Sequence, residues 1–283
     1  MQVSNTGKTK RGTAHYVEQF GSLGEILRYA GNNSAPRSSN SKDSDFTLTK
    51  TLKDAIALGL DGWSEVRPDV EKQLAELESQ IAEHVEPAFK AQHAVVGGAV
   101  DIARFIQGEP ECMIDYVTEP LARMGRVVKV LVNMVFSSYV KTADVVQPGV
   151  VAVGLIDTLH KLGVGVEVWI EMPTASGGVD SGDVNSQLVL LHDSGELLDI
   201  DNLMFGMCHP SMLRRVGFSV TEQSKWKHAE KLVKGGYGYP NNVECANIVG
   251  ADVIIDKVQD CVGNMLKNPC GWVMSTVSGL GLL

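Results

Sequence analysis

Residues 225 to 240 read KWKHAEKLVKGGYGYP, with four lysines, a tryptophan and two tyrosines in sixteen positions. These residue types together suit the binding of single-stranded nucleic acid. Ammonium groups follow a phosphate track, and flat side chains give unpaired bases a surface to stack on, each stack contributing about 1–3 kcal/mol. In a helix over this stretch, Lys227, Lys231 and Lys234 share one face at i, i+4, i+7 spacing, because residues three and four apart are neighbours. Lys225 precedes that face, Trp226 and His228 flank it, and the glycine loop lets Tyr237 and Tyr239 project. Arg214 and Arg215 bring the cations between Arg214 and Tyr239 to six, against Glu222 and Glu230, in a chain of net charge −9. A local excess suffices, because charges within about 8–10 Å set the field at a groove in physiological salt. Lys8, Lys10 and Arg11 near the N-terminus, with Arg37 and Lys42 in a polar loop, are further cations able to wrap a strand. The competing reading of the stretch is a solvated amphipathic helix with Trp226 in the core.

Other chemistry-bearing groupings fail on geometry or spacing. NTGKTK at residues 5–10 has the Gly-Lys-Thr of a phosphate-binding loop, but Gln2 occupies the position of the required leading glycine and no buried strand precedes it. HDSG at 192–195 sets His, Asp and Ser side by side in a turn, whereas a catalytic triad draws them from separate elements. Glu109, Glu111, Asp115 and Glu119 surround Cys112 without a His or Cys pair at ligand spacing, and Asp180 and Asp183 lack the closing glutamate of a calcium loop. His84, His93 and His160 stand singly. Five cysteines, Cys112, Cys208, Cys245, Cys261 and Cys270, form no C-x-x-C pair, so they read as reduced packing residues. No catalytic residue, metal site or cofactor is expected, and the chain reads as a non-enzyme.

The elements that would position the basic stretch follow from hydropathy. At 283 residues, with 44% apolar and 21% charged residues, the chain has an ordinary globular composition. It has no apolar run near the roughly 20 residues that span a bilayer, so no membrane contact is expected. Residues 1–14 read as a flexible basic arm. Residues 15–120 read as a mainly helical region, with a helix in SLGEILRYAG capped by Ser22 and Glu25, a mobile Ser/Asn-rich loop at 31–45, and helical spacing over 49–60 and 68–89. Residues 121–270 form the α/β core. RVVKVLVNMVF is a strand, PGVVAVGLIDTLHKLG a helix opened by Pro148 and closed by Gly163, and VGVEVWIEM a second buried strand. That order predicts a mostly parallel sheet flanked by helices, a three-layer von Willebrand A or Rossmann-like core. QLVLLHD, GFSVTE and ADVIID read as further strands, with helices over 199–215 and in KVQDCVGNMLK. The apolar tail at 271–283 either docks on the core or seals an oligomer.

The strand-helix-strand unit resembles a von Willebrand A domain over about residues 125–222, in pattern rather than identity. That family places an Asp-x-Ser-x-Ser metal signature after the first strand. Here the positions read Asn133, Met134, Val135, Phe136 and Ser137, so a hard cation would lose its only carboxylate from that strand. The blocks HYVEQFGSLGEILRYA, GEPECMIDY, the strand-helix-strand unit and HPSMLRRVGF together resemble a largely phage-borne family akin to the Drc-type cofactors. These are single-stranded-DNA-binding RNA polymerase cofactors of podoviruses that carry a giant virion RNA polymerase. The resemblance implies a protein in the host cytoplasm that binds single-stranded DNA without strong sequence preference, forms oligomers, and brings a viral RNA polymerase to early promoters. The other reading is a von Willebrand A-like scaffold that binds only protein.

Overall fold

The computed structural model describes the chain apart from residues 1, 9–11, 42–43, 83–87, 120–124, 178–181, 227–228, 258–262 and 283. Two strands, β1 (Gln2–Lys8) and β2 (Ala14–Phe20), precede helix α1 (Leu23–Gly31). The one-turn α2 (Ser44–Thr47) leads to α3 (Leu52–Asp61) and α4 (Arg67–Ala82). An excursion follows, in which β3 (Ala88–Ala94), β4 (Ala99–Val100), α5 (Ile102–Ile106) and β5 (Met113–Glu119) form a small antiparallel sheet of order β3-β5-β4. The core consists of β6 (Val127–Asn133), α6 (Thr142–Lys161), β7 (Gly165–Ala175), β8 (Val184–His192) and α7 (Ile200–Cys208). After His209 the chain re-enters a helix through a π-helical stretch, Met212–Gly217, that continues into α8 (Phe218–Gln223). Then come α9 (Ala229–Lys234), β9 (Tyr239–Pro240), α10 (Ala246–Val249), β10 (Val253–Ile255), α11 (Asn264–Lys267) and α12 (Pro269–Gly279).

The main sheet has the order β1-β2-β8-β7-β6-β10, with β9 pairing β7 off that path. β6 pairs parallel with both β7 and β10, and β2 pairs parallel with β8, while β7 and β8 meet antiparallel. The protein is therefore an α/β fold with a mostly parallel sheet flanked by helices. The valine-rich β6 and β7 are nearly continuous in their apolar residues because both of their faces are covered. Val128, Val130 and Val132 point into the larger core with Val166, Val168 and Ile170; helices α1, α6 and α7 pack over the sheet, and α12 packs on α6. Leu131 and Trp169 point the other way and join Val17, Leu188, Val243, Cys245 and Val249 under the segment around α10. α6 and α7 touch at Gly149, where a Cβ would come within 2.5 Å of the Cys208 sulfur, so only glycine permits that approach.

Several boundaries differ from the sequence reading. The supposed arm is β1 at Gln2–Lys8, paired antiparallel with β2, because Ala14–Phe20 supplies an edge with apolar residues to bury. The region 15–120, whose helices are α1 to α5, also carries β2 and the small sheet of β3, β4 and β5. α6 begins at Thr142 with Pro148 inside it rather than at its start. GFSVTE is helical α8, the continuation of the π-helical stretch, and not a strand. Ser22 does cap α1 by accepting from the Glu25 amide, but the Glu25 carboxylate accepts from Gly21 N, one residue short of a reciprocal box. The C-terminal tail docks on the core as α12, with Val273, Val277 and Leu282 buried, and so is not an exposed oligomer surface.

Candidate functional site

The described part of the 31–45 loop is pinned through residues 33–41 rather than free. Glu222 of α8 accepts from the backbone amides of Arg37 and Ser39 and from the Ser39 hydroxyl. Burial works against the charge of Glu222, but these donors and the Tyr237 hydroxyl outweigh it and hold its carboxyl below the usual range. Next to it in the π-helical stretch, Arg215 is 0% exposed. Its guanidinium donates to the carbonyls of Ser39, Ser41, Thr49 and Lys50 and to the hydroxyls of Thr47 and Thr49. A fully enclosed guanidinium cannot reach a phosphate, so Arg215 is a clamp that ties residues 39–41 to 47–50 and not a nucleic-acid contact.

The aromatic part of the basic stretch is also rearranged. Trp226 is 9% exposed and stacks on Tyr16 of β2, with centroids 4.8 Å apart, in a small cluster with Ala229 and Leu232. Tyr237 is 5% exposed, lies flat on Phe218 at 3.9 Å, and donates its hydroxyl to Glu222 at 2.6 Å. Burial and the Glu222 charge push its phenol up to about 12. Its φ of 71°, between Gly236 and Gly238 at 79° and 85°, turns the ring inward; such a conformation in a non-glycine residue costs on the order of 1–3 kcal/mol and persists only where packing enforces it. Both rings are buried, Tyr237 against the floor of the cleft described next, so neither offers a free face for a base to stack on.

What remains exposed converges on a cleft beyond the carboxyl end of β6. It has a volume of about 290 Å³ and is lined by Phe136, Ser137, Tyr139, Arg214, Gly238 and Tyr239, among others. The Arg214 guanidinium sits 5.2, 5.4 and 5.3 Å from the ring centroids of Phe46, Phe136 and Phe218 and donates to the Phe136 carbonyl. Rings at that distance stabilise a cation and fix its position. Tyr139, 95% exposed, and Tyr239, 50% exposed, line the same cleft. A second depression of about 250 Å³ shares Gly238 and Tyr239 with it and extends past Ser176 and Gly177 to Lys231. The two depressions meet at Gly238 and Tyr239, with Lys231 lining one and Arg214 and Tyr139 lining the other, and are called the groove below. Its position outside the ends of parallel strands is where open α/β sheets bind ligands.

Of the cations expected here, Arg214 and Lys231 line the groove, while Lys225 is exposed beside it in sequence. Lys234 is exposed but pairs with Glu230 at 2.7 Å on α9, which spans only Ala229–Lys234. Lys8 lies in β1; Lys10, Arg11, Lys42 and Lys227 lie outside the described residues. Sequence reasoning missed Tyr139, Phe136 and Phe46. The sole signal for Tyr139 was its place in the loop after the first parallel strand. Asn133, at the position of the absent aspartate, is buried; it donates to the Asn241 carbonyl and accepts from Val135 N, so it braces two loops.

On the other face of the sheet lies a buried polar cluster. His15 Nε2 is 2.9 Å from Ser186 Oγ, and that hydroxyl donates to Glu171 Oε1 at 2.6 Å. Glu171 also accepts from the amides of Glu244 and Cys245. Burial raises the carboxyl of Glu171 and the thiol of Cys245 and lowers the His15 imidazole to about 4.

Residues 4–268 match the family described as Domain of unknown function (DUF7192). The chain belongs to the DUF7192 family. Comparison with curated proteins and with solved structures finds no match. The DUF7192 match covers the main sheet apart from the first residues of β1, both walls of the groove and the His15 cluster. Among the described residues of this DUF7192 chain, no helix is long and apolar enough to cross a membrane.

Proposed function

We propose that the protein binds single-stranded DNA along the groove from Lys231 to Tyr139, without strong sequence preference and without catalysing a reaction. The observation that carries the reading is that two depressions share Gly238 and Tyr239 as lining, which places a lysine and an exposed ring beside a caged guanidinium and a second exposed ring. Arg214 and Lys231 meet phosphates; Tyr239 keeps the stacking role that the sequence assigned to Trp226, Tyr237 and Tyr239, and Tyr139 takes the place of the two buried rings. Double-stranded DNA offers no unstacked bases, so the preference is for the single strand. In the host cytoplasm, the bound form would act as a transcription cofactor that brings a viral RNA polymerase to early promoters, the role implied by the resemblance to the Drc-type family, and would assemble as an oligomer along the strand. The experiment is a binding titration of labelled single strand and duplex. Preferential, salt-weakened binding of the single strand supports the reading, and equal or absent binding rejects it.

A protein-binding scaffold is the second reading. It is favoured by one observation: Val95, Val96, Ile102, Phe105 and Ile106 are all exposed on the excursion around β4 and α5. Apolar side chains gathered on a surface point to a macromolecular partner. This scaffold reading expects no affinity for oligonucleotides and full retention of partner binding when the groove is altered.

A further inference from the structure

His15, Glu171 and Cys245 come from β2, β7 and the turn that opens α10, and no sequence motif links them. The fold nevertheless brings an imidazole nitrogen, a carboxylate oxygen and a sulfur within 4.8 Å of one another, and all three residues are buried. We propose that these three side chains hold a divalent transition-metal ion of the zinc type, as a structural site that fastens the 241–249 segment to the sheet.

The donor set fits such an ion. Imidazole, thiolate and carboxylate are the ligands zinc takes, at about 2.0–2.3 Å, which places donors roughly 3.2–3.8 Å apart around a tetrahedral ion. The cluster therefore has to close by about 1 Å at its widest separation. One thiolate, one carboxylate and a neutral imidazole balance a divalent cation, so the loaded site is electrically neutral, as a site away from water requires. The supporting shell is also present. Ser186 Oγ lies between His15 and Glu171 as a fourth donor or an orienting partner, and the amides of Glu244 and Cys245 fix the carboxylate. All positions are closed to solvent, so the ion is structural rather than catalytic. The segment it fastens starts one residue after β9, whose Tyr239 stands in the groove. The inference does not depend on nucleic-acid binding.

The test is expression in minimal medium supplemented with Co²⁺, purification without chelator, metal analysis and an absorption spectrum. The expected result is one cobalt per chain, with a thiolate-to-cobalt charge-transfer band and the intense visible bands of a tetrahedral ion. Cys245→Ser should abolish the charge-transfer band, whereas Cys112→Ser and Cys270→Ser keep it. His15→Asn should lower metal content with the thiolate band weakened, and Zn²⁺-loaded wild type should melt at higher temperature than the chelated protein. Wild-type protein that emerges metal-free from both Co²⁺- and Zn²⁺-supplemented cultures overturns the proposal. So does an octahedral spectrum without a thiolate band, or a band that survives Cys245→Ser. If Cys245→Ser does not fold, the wild-type spectrum and metal content decide alone.

Discussion

Arg214 and Arg215 are adjacent in sequence, yet the π-helical stretch turns one toward the groove and the other into the interior. Replacing Arg215 by Met should destabilise the fold strongly, because it strips the donor from buried carbonyls and hydroxyls, each orphaned acceptor costing about 1–3 kcal/mol, measured by chemical denaturation. Arg214→Ala should spare stability more and weaken single-strand binding. Tyr139→Ala and Tyr239→Ala should each cost about 1–3 kcal/mol of affinity, read by fluorescence anisotropy. Another residue-scale expectation concerns His209, which is buried, stacked on Phe205 at 5.2 Å and edge-on to Trp63 at 4.5 Å. Burial lowers its imidazole to about 3. Its folded pKa lies below the unfolded value, so the unfolded chain gains a proton first as pH falls through about 6.5, and stability drops from there down toward the folded value. His209→Gln should therefore show a smaller fall in melting temperature between about pH 7 and pH 5 than wild type, by calorimetry. Of the stretch 225–240, Lys231 and Tyr239 line the groove while Trp226 and Tyr237 are buried. Which rings were exposed was not legible, because burial of Trp226 and Tyr237 depends on Tyr16 and Phe218, residues distant from them or in another element.

At the scale of elements, α8 serves two partners at once. Glu222 on it holds the 37–39 backbone, and Arg215 just before it ties 39–41 to 47–50, so a polar segment without a core of its own is ordered by one helix. Glu222→Gln should raise amide hydrogen exchange at Ser38, Ser39 and Asn40 well above that of α6, and leave the main sheet protected; unchanged exchange would mean that Arg215 alone suffices. The β6, α6 and β7 unit was legible because long apolar runs and a twenty-residue helix leave few alternatives. GFSVTE was not, because its alternation of apolar and polar residues over six positions fits a strand until the helix entering it from residue 210 is known. The N-terminal strands were missed for a similar reason: β2 pairs parallel with β8, nearly 170 residues away, and nothing local reports that partner. The His15 cluster depends on the same pairing, in which His15 lies opposite Val184 and next to the strand bearing Ser186.

For the whole molecule, the net charge of −9 and the cationic groove are compatible because the groove's field is local and most of the acidic residues lie elsewhere. Reversing Lys231 to Glu should weaken single-strand affinity and flatten its dependence on salt, since a lost phosphate contact removes about 0.7 from the logarithmic slope. The apolar patch around β4 and α5 is remote in sequence from the groove, and changes there should leave oligonucleotide affinity intact. The most direct measurement is an anisotropy titration of wild type and the Tyr139→Ala/Tyr239→Ala double variant with a labelled single strand and its duplex, at low and moderate salt. The expected result is wild-type preference for the single strand that weakens with salt and is lost in a folded double variant. Equal binding of strand and duplex, no binding at micromolar protein, or full affinity in the double variant would contradict the groove as a single-stranded-DNA site.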